Sequence, residues 1–223
     1  MIEEARKQAN IESIIRKALP DVNADAKPAE VQSDWYATFF NKCPLVSDEQ
    51  MQSVWANILA WEANAPGSYS KRTLSIVENL DKSDGERFEQ TCSFAVRIEG
   101  ELSLLIFEFG APYSERGITT QLLAHLESIG LVSYDPFAGF RRCFSKRELT
   151  AEYLGTPFRI ELNKNTFGKP VQMGLVLLTE SGQQVSNLFD AEPMPDFLEL
   201  LSKKWSAGIG LHRIIVSSAD AAQ

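Results

Sequence analysis

The stretch WANILAWEANAPGSYSKRTLSIVENLDKSDGERF, residues 55–88, reads as helix, break, helix, break and helix. Pro66-Gly67 ends the first helix, because proline has no N–H to give and glycine accepts backbone angles closed to other residues. Ser70 is placed to cap the second helix, whose Leu74, Val77 and Leu80 face inward. Ser83-Asp84-Gly85-Glu86 reads as a capping box that opens the third, with Phe88, Cys92 and Ala95 as its apolar positions. Upstream, Ser47-Asp48-Glu49-Gln50 reads as another capping box. After it, Met51, Val54, Trp55, Ile58 and Leu59 recur at the spacing of a buried helical face. Trp61 lies six residues beyond Trp55 and cannot share that face.

Working toward the N-terminus, residues 2–19 place Ile11, Ile14, Ile15, Ala18 and Leu19 on one side of a helix that Pro20 stops. Ile2 onward is helical in pattern with no cap before it, so the start reads as the interior of a longer helix; it lacks the apolar centre and cleavage site of a secretory signal. DVNADAKPAEVQS, residues 21–33, reads as a connector, and a helix from Asp34 to Lys42 carries Trp35, Phe39 and Phe40 toward a core.

Toward the C-terminus the period changes. From Ile98 the apolar runs shorten, and LSLLIFEF, residues 102–109, fits a strand or a short buried segment better than another long helix. Thr119 or Ser114 starts a helix with Leu122, Leu123, Leu126 and Ile129 on its apolar face and Gly130 as its stop. FRIEL (158–162) and VQMGLVLL (171–178) read as two strands of one hairpin, Thr179 caps a short helix through Phe189, and PDFLELLSKKW (195–205) supplies another helix. The expected class is α+β, mainly α: a helical region over 1–97, then a winged-helix-like region of helix and β-hairpin over 98–223.

The breaks in the opening stretch are crowded with Glu62, Ser68, Ser70, Arg72 and Asp81. Catalysis needs a nucleophile with its base, or paired carboxylates, and no such partner stands at a recognisable spacing. A helix junction accounts for them: Glu62 can accept from N–H groups around Ser68 to Ser70 or pair with Arg72, while Ser70 caps. No catalytic residue is assigned. Only His125 and His212 are present, in no zinc-binding spacing, and no phosphate-cradling glycine loop or nucleophile elbow is found. The expectation is therefore no metal and no cofactor.

Twenty-two Lys and Arg against 30 Asp and Glu leave a net charge of −8 over 223 residues, which repels nucleic acid and anionic membranes. The one basic segment is Arg141, Arg142, Lys146 and Arg147, interleaved with Phe140 and Phe144. The helix that would enter a DNA groove, Ile118 to Ile129, has no Lys or Arg and carries Glu127. No apolar run approaches the ~20 residues of a membrane span. Cys43, Cys92 and Cys143 form no C-x-x-C pair and leave one over from any pairing, as reduced, buried thiols in a cytoplasm would.

DEQMQSVWANILAWEANAPGSYSKRTLSIVENLDKSDGERF (48–88), LLAHLESIGLV (122–132) and LLTESGQQVSNLF (177–189) together resemble a bacterial family of conserved hypothetical proteins without assigned function. The first segment is also similar, more distantly, to the helical region of Abi-alpha type abortive-infection proteins. The matching residues are Gln52, Trp55, Leu59, Glu62, Pro66, Gly67, Ser70, Thr73, Leu74, Leu80, Asp84 and Phe88. Gly85 departs from the pattern, where alanine is usual. The likeness extends over about residues 8–190 and implies helices followed by a winged-helix-like part, no catalytic residue, and, through Abi-alpha, a part in phage defence.

The expected function is accordingly that of a non-enzymatic bacterial protein working by protein–protein contact, with Trp61 and Tyr69 as exposed interface aromatics. A nucleic-acid-binding regulator using Arg141 to Arg147 is the alternative, and an enzyme with a site assembled from distant residues the third.

Overall fold

The computed structural model describes residues 2–162, 167–207 and 212–216. The chain divides into two compact units, Met1–Leu80 and Asp81–Gln223. A division at 97/98 would fall within a strand, Ala95–Ile98.

The first unit is helical: α1 (Ile2–Ala18), α2 (Ser33–Lys42), α3 (Glu49–Asn64) and α4 (Lys71–Glu78), joined through short 3₁₀ turns. Its core is aromatic. Trp35 stacks on Phe39 with ring centroids 5.1 Å apart, and Phe39 tilts against Trp55 at 5.3 Å. Gln52, buried on α3, ties the helices together: its carbonyl accepts from Ser13 Oγ on α1 at 2.8 Å, and its amide donates to the Val46 carbonyl at 3.0 Å. A polar side chain inside a core is tolerable when its groups are paired in this way. On α1, Ile14 and Ala18 are buried, whereas Leu19 has left the helix for a 3₁₀ turn and is exposed.

Two helix starts differ from expectation by a residue or two. Asp48, not Ser47, caps α3 and accepts the Met51 N–H at 2.9 Å. The next helix, α5 (Lys82–Cys92), opens the second unit with Asp81 as its cap and Asp84 as the reciprocal partner, not with Ser83. In both cases an aspartate within two residues of the expected serine takes the cap, and an acidic cap also meets the positive end of the helix.

The second unit continues with β1 (Ala95–Ile98), β2 (Glu101–Leu104), α6 (Thr120–Ser128), β3 (Val132–Tyr134), β4 (Phe140–Arg142), β5 (Glu148–Tyr153), β6 (Thr156–Leu162), β7 (Val171–Gly174), β8 (Val176–Leu178), α7 (Glu180–Ser186), α8 (Phe197–Ala207) and β9 (His212–Val216). Five strands form an antiparallel sheet in the order β2-β1-β5-β6-β9, and β3–β8 and β4–β7 form two further ladders. Helices thus precede antiparallel strands, and the class is α+β, mainly α.

The hairpin expected between 158–162 and 171–178 does not form. β6 pairs with β5 and β9, while β7 and β8 pair with β4 and β3. The hairpin lies one strand earlier, where ELTAEY alternates exposed and buried residues and turns through Leu154-Gly155, both at positive φ (43° and 86°). Such a two-residue turn matches the twist of paired strands. Leucine in its first position hides the usual Asn-Gly signal.

Thr119 caps α6 and Thr179 caps α7, each accepting an N–H three residues on. Gly182 on α7 is required by a close approach: a Cβ there would lie 1.9 Å from the Leu131 carbonyl oxygen. Phe94, Tyr113, Tyr153 and Phe197 form the aromatic centre of this unit.

Candidate functional site

The junction between α3 and α4 is built around Glu62. Its side chain is buried in the last turn of α3. One oxygen accepts the Gly67 N–H at 2.7 Å and the other the Tyr69 N–H at 2.8 Å. Pro66-Gly67 turns the chain back, with Gly67 at φ 91°, so that these two N–H groups face the carboxylate. Ser70 then caps α4, its hydroxyl oxygen accepting the Thr73 N–H at 3.1 Å. Arg72 is exposed on α4, and among the described residues it forms no ion pair with Glu62.

Tyr69 is not the exposed aromatic expected of it; it is 2% exposed, and its carbonyl accepts from Trp35 Nε1 at 2.7 Å. Its place between a helix end and a helix cap draws the ring inward with the turn. Burial, reinforced by the Glu62 charge, pushes its phenol above the ordinary tyrosine range. A small cavity of about 260 Å³ adjoins this junction, lined in part by Trp35, Glu62, Tyr69 and Lys71. With each oxygen accepting one backbone N–H, the carboxylate holds the turn.

Trp61, one residue before Glu62, points the other way and is 51% exposed. Trp35, Trp55 and Trp205 are all buried, so Trp61 is the tryptophan that α3 presents outward.

Two of the four cations in the basic segment are paired with carboxylates by the fold. Arg142 pairs with Glu101 and lies over the buried Phe144 ring, 5.0 Å from its centroid. Lys146 pairs with Glu99 at 2.6 Å, and Arg141 Nε donates to Gln172 at 3.1 Å. Arg147 is exposed. The Lys146 ammonium, with the Thr150 N–H, holds the Glu99 carboxyl down at about 2.

One constellation escaped the sequence. His125 Nε2 on α6 lies 2.8 Å from Asp84 Oδ1 on α5, while Asp84 Oδ2 accepts the Asp81 N–H at 3.2 Å. An ionised carboxylate can only accept, so in this contact Nε2 is the donor. The residues are 41 apart, and no local spacing announces them. Ser128, one turn on, gives its hydroxyl to the His125 carbonyl and not to the ring. The pair therefore fastens α6 to the start of α5. His212 begins β9, and its side chain lies outside the described residues. Among the described residues no group of three metal-binding side chains occurs, and no helix is long and apolar enough to cross a membrane.

A helical unit with a sealed junction, followed by an antiparallel α+β unit, defines the class of protein. The chain belongs to the family described as Protein of unknown function (DUF2806), whose match spans residues 1–202. No curated protein and no solved structure matches it.

Proposed function

We propose that this protein is a non-enzymatic bacterial binding protein that acts by contact with another protein, with Trp61 as its anchor. The observation that carries this reading is the half-exposed indole of Trp61 beside three buried tryptophans. Leaving a large aromatic surface in water forgoes roughly 1–2 kcal/mol of burial, and such residues dominate binding energy where a partner covers them. The narrower role, in phage defence, rests on the resemblance of residues 48–88 to Abi-alpha proteins, which is a fold-level analogy. A reducing cytoplasm suits the free thiols of Cys43, Cys92 and Cys143.

Against the nucleic-acid alternative stand the net charge of −8 and the ion pairs of Arg142 and Lys146 with Glu101 and Glu99. The test is a pull-down of the native protein from its bacterial host, with protein and nucleic acid both identified. A protein partner retained by the native chain and lost with Trp61→Ala, at unchanged folding, is the expected result. Retention of DNA or RNA that disappears on replacing Arg141 and Arg142 would establish the alternative instead.

A further inference from the structure

Residues 132–142 run antiparallel to residues 171–178, with Tyr134 opposite Val176 and Phe140 opposite Gly174. Between those two pairs the second segment has one residue, Leu175, and the first has five, Asp135-Pro136-Phe137-Ala138-Gly139. The five therefore leave the ribbon and return to it. On this loop Phe137 is 96% exposed, more than any other large apolar side chain among the described residues.

The loop is held from below. The Asp135 N–H donates to the Leu175 carbonyl at 3.0 Å, and Asp135 Oδ1 accepts the N–H groups of Phe137 and Ala138, both at 2.9 Å. Pro136 fixes its own φ. Gly139 closes the loop at φ 59°, where a Cβ would lie 2.5 Å from Gln172 Nε2 and 2.6 Å from the Gly174 carbonyl oxygen. That same Gln172 accepts from Arg141 Nε at 3.1 Å, so one side chain lies against the base of the loop and holds the guanidinium. Arg141 is exposed and, among the described residues, pairs with no carboxylate.

We infer that Phe137 and Arg141 together form a contact point for a protein partner that offers an apolar pocket of benzyl size with a carboxylate at its rim. The phenyl ring selects the pocket, and the unpaired guanidinium selects the carboxylate. Aromatic residues and arginine are the types that concentrate binding energy at protein interfaces, and a loop already ordered loses little freedom on docking. Single-stranded nucleic acid needs a run of cations along its backbone. Here Arg142 and Lys146 already hold Glu101 and Glu99, and the chain carries −8. The same net charge opposes an anionic lipid surface, and a two-fold contact between copies centred on Phe137 would set Arg141 near its own counterpart. The contact belongs to the second unit and does not depend on Trp61.

The experiment places a photoreactive benzophenone amino acid at position 137 of the full chain in its bacterial host. Irradiation is expected to give one discrete adduct with another protein, attached within an apolar pocket that has Asp or Glu at its edge. With that protein purified, Phe137→Ser should weaken binding roughly thirtyfold, the effect of losing one anchor. Its fully exposed position leaves the urea midpoint unchanged. Arg141→Glu should weaken binding about tenfold or more, and replacing the facing carboxylate with arginine should restore it. No adduct, an adduct with a second copy, with lipid or with nucleic acid, or binding that Phe137→Ser leaves within about twofold of the native value would overturn the proposal. These outcomes are read without reference to Trp61→Ala, so failure here and failure of the Trp61 contact are distinguishable.

Discussion

Glu62 is the residue on which the catalytic and structural readings of the helical unit part. Both of its oxygens accept backbone N–H groups of the turn that follows, so its replacement should act on stability. Glu62→Gln keeps the shape but sets an amide N–H against one of those donors. It should destabilise the protein by about 2 kcal/mol, the order expected when a charged acceptor is lost, seen as a lower urea midpoint at unchanged slope. An unchanged midpoint would show that the turn holds itself. The junction was legible because unpaired helix-end donors must be met, and a glutamate five residues before a glycine is within reach. The direction of Tyr69 was not legible: periodicity speaks for residues inside a helix, and Tyr69 sits between two.

At the scale of elements, α7 shows how a small residue sets a packing distance. Thr179 caps this helix and also donates its hydroxyl to the Gly130 carbonyl at 2.7 Å, which draws the helix start onto the segment after α6. Gly182 then faces the Leu131 carbonyl with no room for a methyl group. Gly182→Ala, favourable by helix propensity alone by about 1 kcal/mol, should instead cost more than about 2 kcal/mol, measurable as a lower thermal midpoint of the full chain. A rise would mean that α7 can slide away from Leu131. Caps such as Thr119, Thr179 and Ser70 are local and readable in sequence, because each acts on an N–H three residues away. The strand partners were not readable. Residues 158–162 and 171–178 read as two strands, but the second is split into β7 and β8, whose partners β4 and β3 lie far away in the chain, as does β9, which β6 pairs with beside the adjacent β5.

Across the whole molecule, the thiols report which parts of the chain are interior. Burial pushes Cys43 and Cys92 up to about 12, whereas Cys143 is exposed, contrary to the expectation of three buried cysteines. It follows the β4 strand beside Phe144, which takes the inward position in its place. A disulfide reagent at pH 8 should therefore titrate one thiol in the native protein, lost in Cys143→Ser, and all three in denaturant. Rapid reaction of more than one native thiol would show that a core is open.

What the sequence settled by itself is local: where helices start and stop, which faces are apolar, the α+β class, and the absence of a short catalytic or phosphate-binding motif. Those features depend on residues within a turn or two of one another, and their chemistry is the same in any fold. Tertiary structure alone decided the pairing of the strands, the His125–Asp84 contact, and the pairing of Arg142 and Lys146 with Glu101 and Glu99. Each of these joins residues distant in the chain, and closing such loops is governed by the packing of the whole unit, which no local pattern encodes.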